Sequence, residues 1–161
     1  MKEEIPVTTG VRFLRDQGVD FRPRFYPWLE HGGTANAAAA FGMEERAVVK
    51  TIVMRADGGK PFLVLMHGDR EVSAKGLARV LGAKKIELCD EANAHRHTGY
   101  QFGGTGPFGT RVAMRIYAEK TIFDLPKVLI NAGKRGFLVE IDPREIRRTL
   151  QPVEVEVGIE A

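Results

Sequence analysis

Between residues 103 and 109 the chain reads Gly103-Gly104-Thr105-Gly106-Pro107-Phe108-Gly109, with four glycines in seven positions. Such a run lets main-chain N–H and C=O groups come close to a ligand, so that a small polar substrate can be gripped without a side chain. A plain turn between a helix and a strand uses the same composition. The run lacks the Gly-Lys-Ser/Thr ending of a phosphate-binding P-loop. Lys50 is the second oddity, a cation inside the apolar run Val48-Val49-Lys50-Thr51-Ile52-Val53. On the buried side of a strand it needs a partner or a lowered pKa, and both occur at working sites. If it shares a solvent-facing side with Ile52, it is an ordinary strand lysine, and spacing alone does not choose.

Other chemistry is thinly represented. His95 and His97, two residues apart, face different sides of a helix and lack the cysteine or acidic companions of a zinc site. His31 and His67 are isolated. Cys89 has no neighbour that would lower its pKa, which favours a small packed residue over a nucleophile. No Gly-x-Ser-x-Gly elbow and no dinucleotide fingerprint follows a strand. The residues therefore call for neither metal nor cofactor.

The elements that must position these residues are legible from patterning. The segment from Thr8 to Gly18 reads as a short amphipathic helix, and Phe21–Tyr26 as an edge strand that tolerates Pro23. Thr34 is placed to cap an Ala-rich helix over 35–41 that Gly42 ends. Strands are predicted at 48–54 and 61–66 around the turn 56–60. A helix over 73–81 stops at Gly82, a strand covers 85–88, and Asp90 caps another helix that fades before Gly99. Further strands are expected at 111–117, 127–130 and 137–141. Asp142, Pro143 and Glu145 spell a capping box with proline at the first helical position. Val153, Val155 and Val157 alternate with glutamates as in a half-exposed strand. Hairpins mixed with separated helices predict an α+β fold with a mixed, largely antiparallel sheet.

Length and composition set the outer bounds. The chain has 161 residues, 43% hydrophobic and 28% charged, which suits one folded domain over 1–161. No run nears the roughly 18 apolar residues of a membrane span. The opening Met1-Lys2-Glu3-Glu4-Ile5-Pro6 lacks the apolar stretch of a signal peptide, and one cysteine makes no internal disulfide, so a cytoplasmic location is expected. A net charge of +3 is too mild for a dedicated duplex binder, but fits a polyanionic substrate if the cations cluster. Arg70, Lys75, Arg79, Lys84, Lys85, Lys134 and Arg135 are candidates for such a face, and each also suits a solvated surface.

Three ordered stretches together resemble the YbaK/ProX/EbsC family of aminoacyl-tRNA deacylases, relatives of the editing domain inserted in some prolyl-tRNA synthetases. They are Val49-Lys50-Thr51-Ile52-Val53, Thr98-Gly99-Tyr100 leading into Gly103–Gly109, and Gly133-Lys134-Arg135-Gly136 with the strand after it. The likeness runs from about Val11 to Val157. It implies an α+β fold around a mixed, barrel-like sheet with flanking helices, and hydrolysis of a misattached amino acid, foremost cysteine on tRNA(Pro). Aminoacyl-tRNA is then the partner, with prolyl-tRNA synthetase beside it, and no membrane.

By position, the resemblance makes Lys50 the essential lysine and Tyr26 an aromatic residue beside the pocket. Gly103 and Pro107 become the ends of the Gly-x-x-x-Pro loop that contains Gly104, Thr105 and Gly106, while Gly133, Lys134 and Arg135 close the other side. Two departures bear on substrate choice: Gly106 stands where many members carry serine, and 31–37 lacks the acidic and aromatic residues usual there. Alanine or another small amino acid is thus an alternative to cysteine, and a non-catalytic tRNA- or synthetase-binding module is an alternative to an enzyme.

Overall fold

The computed structural model describes residues 4–161; Met1–Glu3, the start of the charged opening segment, lie outside them. Helix α1 (Thr9–Asp16) is capped by Thr8, whose hydroxyl accepts from Val11 N–H, and strand β1 (Arg22–Phe25) follows. Helix α2 (Gly33–Phe41) leads to β2 (Val48–Ala56), β3 (Phe62–His67) and the short β4 (Arg70–Val72). Next come α3 (Ala74–Leu81), β5 (Ile86–Leu88) and α4 (Glu91–Thr98), the two helices capped by Ser73 and Asp90. After the glycine loop the chain forms β6 (Ile116–Glu119), β7 (Val128–Asn131), β8 (Phe137–Ile141), α5 (Pro143–Leu150), β9 (Val153–Val155) and β10 (Gly158–Glu160).

The main sheet runs β1-β8-β7-β2-β3-β6-β9, and β5 pairs with the far end of β2. Pairs β1/β8, β7/β8, β2/β3 and β2/β5 are antiparallel, while β2/β7, β3/β6 and β6/β9 are parallel. Strands β4 and β10 form a separate antiparallel ribbon. The fold is thus α+β with a mixed sheet, as the patterning predicts.

Both faces of the sheet are covered, which is why β3 and β7 read as continuous apolar runs rather than alternating ones. On one face Val49, Leu65, Ile130 and Val139 pack with Val11 and Leu14 of α1, Ile146 of α5 and Phe108 of the glycine loop. The other face carries two separate clusters. Val48, Leu129 and Leu138 pack under Ala37 and Ala38 of α2, whereas Met54, Val64 and Met66 pack under Leu77 and Ala78 of α3.

Four local expectations are corrected. The strand expected at 111–117 starts only at Ile116, because Arg111 and Val112 spend their N–H groups on the carbonyls of Thr98 and His97 at the end of α4. Thr34 does not cap α2, whose N-cap is Gly32; its hydroxyl lies 2.7 Å from Glu45 Oε2 and 3.1 Å from the Gly68 carbonyl, tertiary partners that outcompete the local cap. Asp142 caps α5 by accepting from Arg144 N–H, but the box stays half made because Glu145 pairs with Arg148 at 2.6 Å. The strand expected through Val157 ends at Val155, since the N–H groups of Val157 and Gly158 both donate to the buried Glu119 carboxylate.

Candidate active site

Alternation along β2 sets Val48, Lys50, Ile52 and Met54 on one side of the sheet. Val48 belongs to the α2 cluster, and Ile52 and Met54 to the α3 cluster, so Lys50 stands at the seam between them. It does share a face with Ile52, but helices cover that face. Half-buried there, Lys50 directs its ammonium to the Gly68 carbonyl at 3.5 Å. Desolvation pulls its pKa below the usual lysine value, and the charges of Glu71, Glu45 and Asp69 oppose that shift. Gly68 is a residue that sequence patterning missed. A Cβ there would lie 2.6–2.7 Å from Glu45 O, Thr34 Oγ1 and Val48 O, so only glycine brings this carbonyl to the lysine. Thr51, next to Lys50, faces the other way, and its buried hydroxyl has no partner among the described residues.

Register carries the row further. Leu129 pairs with Val48 in parallel, so Asn131, two residues on, lies on the side of Lys50 and one step along with it. Asn131 pairs with Leu138, and Leu138 with Arg24. Lys50, Asn131, Leu138 and Arg24 therefore form one row across four strands. Tyr26 continues β1 through its N–H to the Gly136 carbonyl, 3.0 Å, and packs edge-on to Phe41 of α2. Burial pushes the Tyr26 phenol pKa up, with the Gly136 contact pulling weakly the other way.

The turn after β7 is latched by Asn131, the second missed residue. Its Oδ1 accepts from Gly133 N–H at 2.6 Å and Lys134 N–H at 3.0 Å, and its Nδ2 donates to the Lys134 carbonyl at 3.0 Å. An asparagine opening a glycine turn is the available signal. The glycine loop lies directly on this turn. A Cβ on Gly104 would sit 2.9 Å from Arg135 N, and one on Gly106 would sit 2.0 Å from Asn131 O. Position 106 thus faces the end of β7, and a serine there has no room in this backbone. Tyr100 fastens the far end of the loop by donating to the Phe108 carbonyl, beside Thr9 Oγ1 at 2.9 Å.

Gly103, at φ 86°, touches the indole of Trp28, the third missed residue. The Arg135 guanidinium lies 4.2 Å over the Trp28 ring while its Nε donates to the Phe102 carbonyl at 2.7 Å. A cavity of about 380 Å³ opens here, lined by Tyr26, Trp28, Lys134, Arg135, Phe137 and Glu4 among others. Of the expected residues Tyr26, Lys134 and Arg135 line this cavity, Gly103 and Gly104 abut Trp28 and the 134–135 backbone beside it, Gly106 abuts the Asn131 carbonyl and Gly133 abuts Tyr100 and Thr8, with Thr105 and Pro107 in the same loop as Gly106. Lys50 does not line that cavity. Three strand spacings separate it from β1, and Tyr26 lies two residues further along that edge than Arg24, roughly 16 Å from Lys50. His97 bonds the carbonyl of Asn93 in its own helix, and Cys89 stays a free thiol whose pKa burial raises.

The sequence model described as aminoacyl-tRNA editing domain matches residues 31–149. A protein of Enterococcus faecalis named "Putative Cys-tRNA(Pro)/Cys-tRNA(Cys) deacylase EbsC" is 27% identical over 140 residues, covering 86% of this chain and 85% of that protein. The proline–tRNA ligase of Desulforamulus reducens is 34% identical over 125 residues, covering 76% of this chain but only 21% of the ligase. A crystal structure described as "a putative trans-editing enzyme for prolyl tRNA synthetase" superposes with a TM-score of 0.84 at 19% identity, covering 96% of this chain and 99% of that one. At that identity the likeness concerns the fold. Among the described residues no helix is long and apolar enough to cross a membrane.

Proposed function

The chain belongs to the aminoacyl-tRNA editing domain family, and from that premise we propose that residues 1–161 act as one free-standing hydrolase that clears a misattached amino acid from tRNA(Pro), with cysteine as the first substrate. The observation that carries this reading is Lys50, a desolvated cation level with Asn131, whose backbone bears the glycine loop. An aminoacyl ester is already activated, so its cleavage asks for orientation and charge stabilisation more than for a strong nucleophile. Main-chain groups of residues 103–107 hold the amino acid, and Lys50 stabilises negative charge on the carbonyl oxygen or a nearby phosphate. With cysteine, the substrate thiol attacks its own carbonyl carbon. The ester C–O bond breaks, the thiol proton passes to the departing ribose oxygen, and a thiolactone leaves. Lys134 meets a phosphate of the tRNA end, and prolyl-tRNA synthetase is the protein that supplies the mischarged tRNA.

The test is a panel of tRNA(Pro) charged with cysteine, alanine and proline. Cysteine release well above buffer, lowered a hundredfold or more in Lys50→Ala, is the expected result, the size of losing one charge-stabilising contact. Ester loss at the buffer rate for every amino acid refutes the hydrolase. Preference for alanine over cysteine keeps the hydrolase and refutes the thiol route. The missing hydroxyl at position 106 does not favour a non-catalytic module, because a side chain there would face Asn131 O and not the cavity.

A further inference from the structure

The corner at Trp28 holds chemistry that ester cleavage does not use. Trp28 is the chain's single tryptophan. One side of its indole is covered by the Arg135 guanidinium, and that guanidinium is anchored by its Nε bond to the Phe102 carbonyl. The Phe102 ring itself is 70% exposed on the rim of the glycine loop. Neither Lys134 nor Arg135 makes an ion pair with a carboxylate among the described residues, although Glu4 lines the same cavity. A guanidinium backed by indole and anchored to the Phe102 backbone, with the exposed Phe102 side chain and the Lys134 ammonium on the two segments that meet there, matches an unpaired nucleobase and its phosphate.

We propose that Trp28, Arg135 and Phe102 form a stacking platform for the 3′-terminal base of the RNA, with Lys134 on the adjoining phosphate. This rests on reading the chain as acting on aminoacyl-tRNA. Binding energy from the base then orients the reacting bond, and a truncated substrate forfeits it.

Trp28 supplies its own readout. An uncharged RNA hairpin ending in single-stranded 5′-CCA-3′ is titrated against the full chain while tryptophan fluorescence is followed, in parallel with a hairpin whose last ribose lacks its base. Quenching by the intact RNA, and roughly tenfold weaker binding without quenching for the abasic RNA, is the expected result. Phe102→Ala weakens the intact RNA by a similar factor and leaves the abasic RNA unchanged, and Phe102→Tyr restores binding. Equal affinity and equal quenching for the two RNAs overturns the platform. The two readings fail separately. Base-dependent quenching without ester cleavage removes the hydrolase, and ester cleavage with base-independent binding removes the platform.

Discussion

Serine or alanine at position 106 tests how tightly the glycine loop is seated. In the present backbone a Cβ at 106 would lie 2.0 Å from the Asn131 carbonyl oxygen and 2.8 Å from its carbon. Bringing even the first contact to 3.0 Å requires the loop and the end of β7 to part by about 1 Å. Neither partner is a flexible side-chain tip, since Asn131 is a buried strand residue whose amide latches the 131–134 turn. Overpacking of this kind costs about 1–3 kcal/mol. For a domain of this size about 2 kcal/mol lowers Tm by about 4–8 °C. Circular dichroism melts of Gly106→Ser and Gly106→Ala read the loss, and the two variants fall together because the Cβ and not the hydroxyl is responsible. Catalytic efficiency falls in both as the loop lifts from Asn131. Unchanged melting in either variant would falsify the seating argument, and a serine variant more active than the parent would show that position 106 reaches the substrate.

Four further outcomes are expected. Activity falls on the alkaline side below the usual lysine range as Lys50 deprotonates, and Lys50→Arg moves that limb to higher pH; an unmoved limb removes Lys50 from the pH profile. Because the folded pKa of Lys50 lies below its unfolded value, the unfolded chain holds the extra proton between the two, so stability rises with pH across that window. Lys50→Met flattens this rise in urea melts. Asn131→Ala loses three hydrogen bonds of the turn, about 3 kcal/mol at about 1 each, and Asn131→Asp is no milder, because a carboxylate oxygen then replaces the donor facing the Lys134 carbonyl at a buried position; a loss below about 1 kcal/mol in urea melts of Asn131→Ala would mean the latch is not what the side chain supplies. Replacing Lys84 and Lys85 by alanine lowers the salt slope of tRNA binding by about one phosphate contact, not two, because Lys85 already pairs with Glu87 at 3.4 Å. An unaltered slope excludes both lysines from the footprint.

What could be read directly from the residues was local. Thr8, Ser73, Asp90 and Asp142 announce helix starts because a cap bonds amides two or three residues away. Gly42 and Gly82 announce ends because the left-handed turn penalises a Cβ. The strands of the hairpin at 48–67 follow from β-branched runs around a turn, and the three ordered motifs were visible as a family likeness.

The tertiary structure decided whatever depends on partners distant in sequence. Thr34 gives up its cap for Glu45 and Gly68, and residues 111–112 give up a strand for the end of α4, because a bond to a preformed neighbour competes with any local choice. The setting of Lys50 belongs here too. Alternation shows only that it shares a side with Ile52; whether that side meets water or two helices depends on where α2 and α3 pack, which no window of sequence around residue 50 contains. The same holds for Trp28 and Arg135, 107 residues apart, which meet only because β1 pairs with β8.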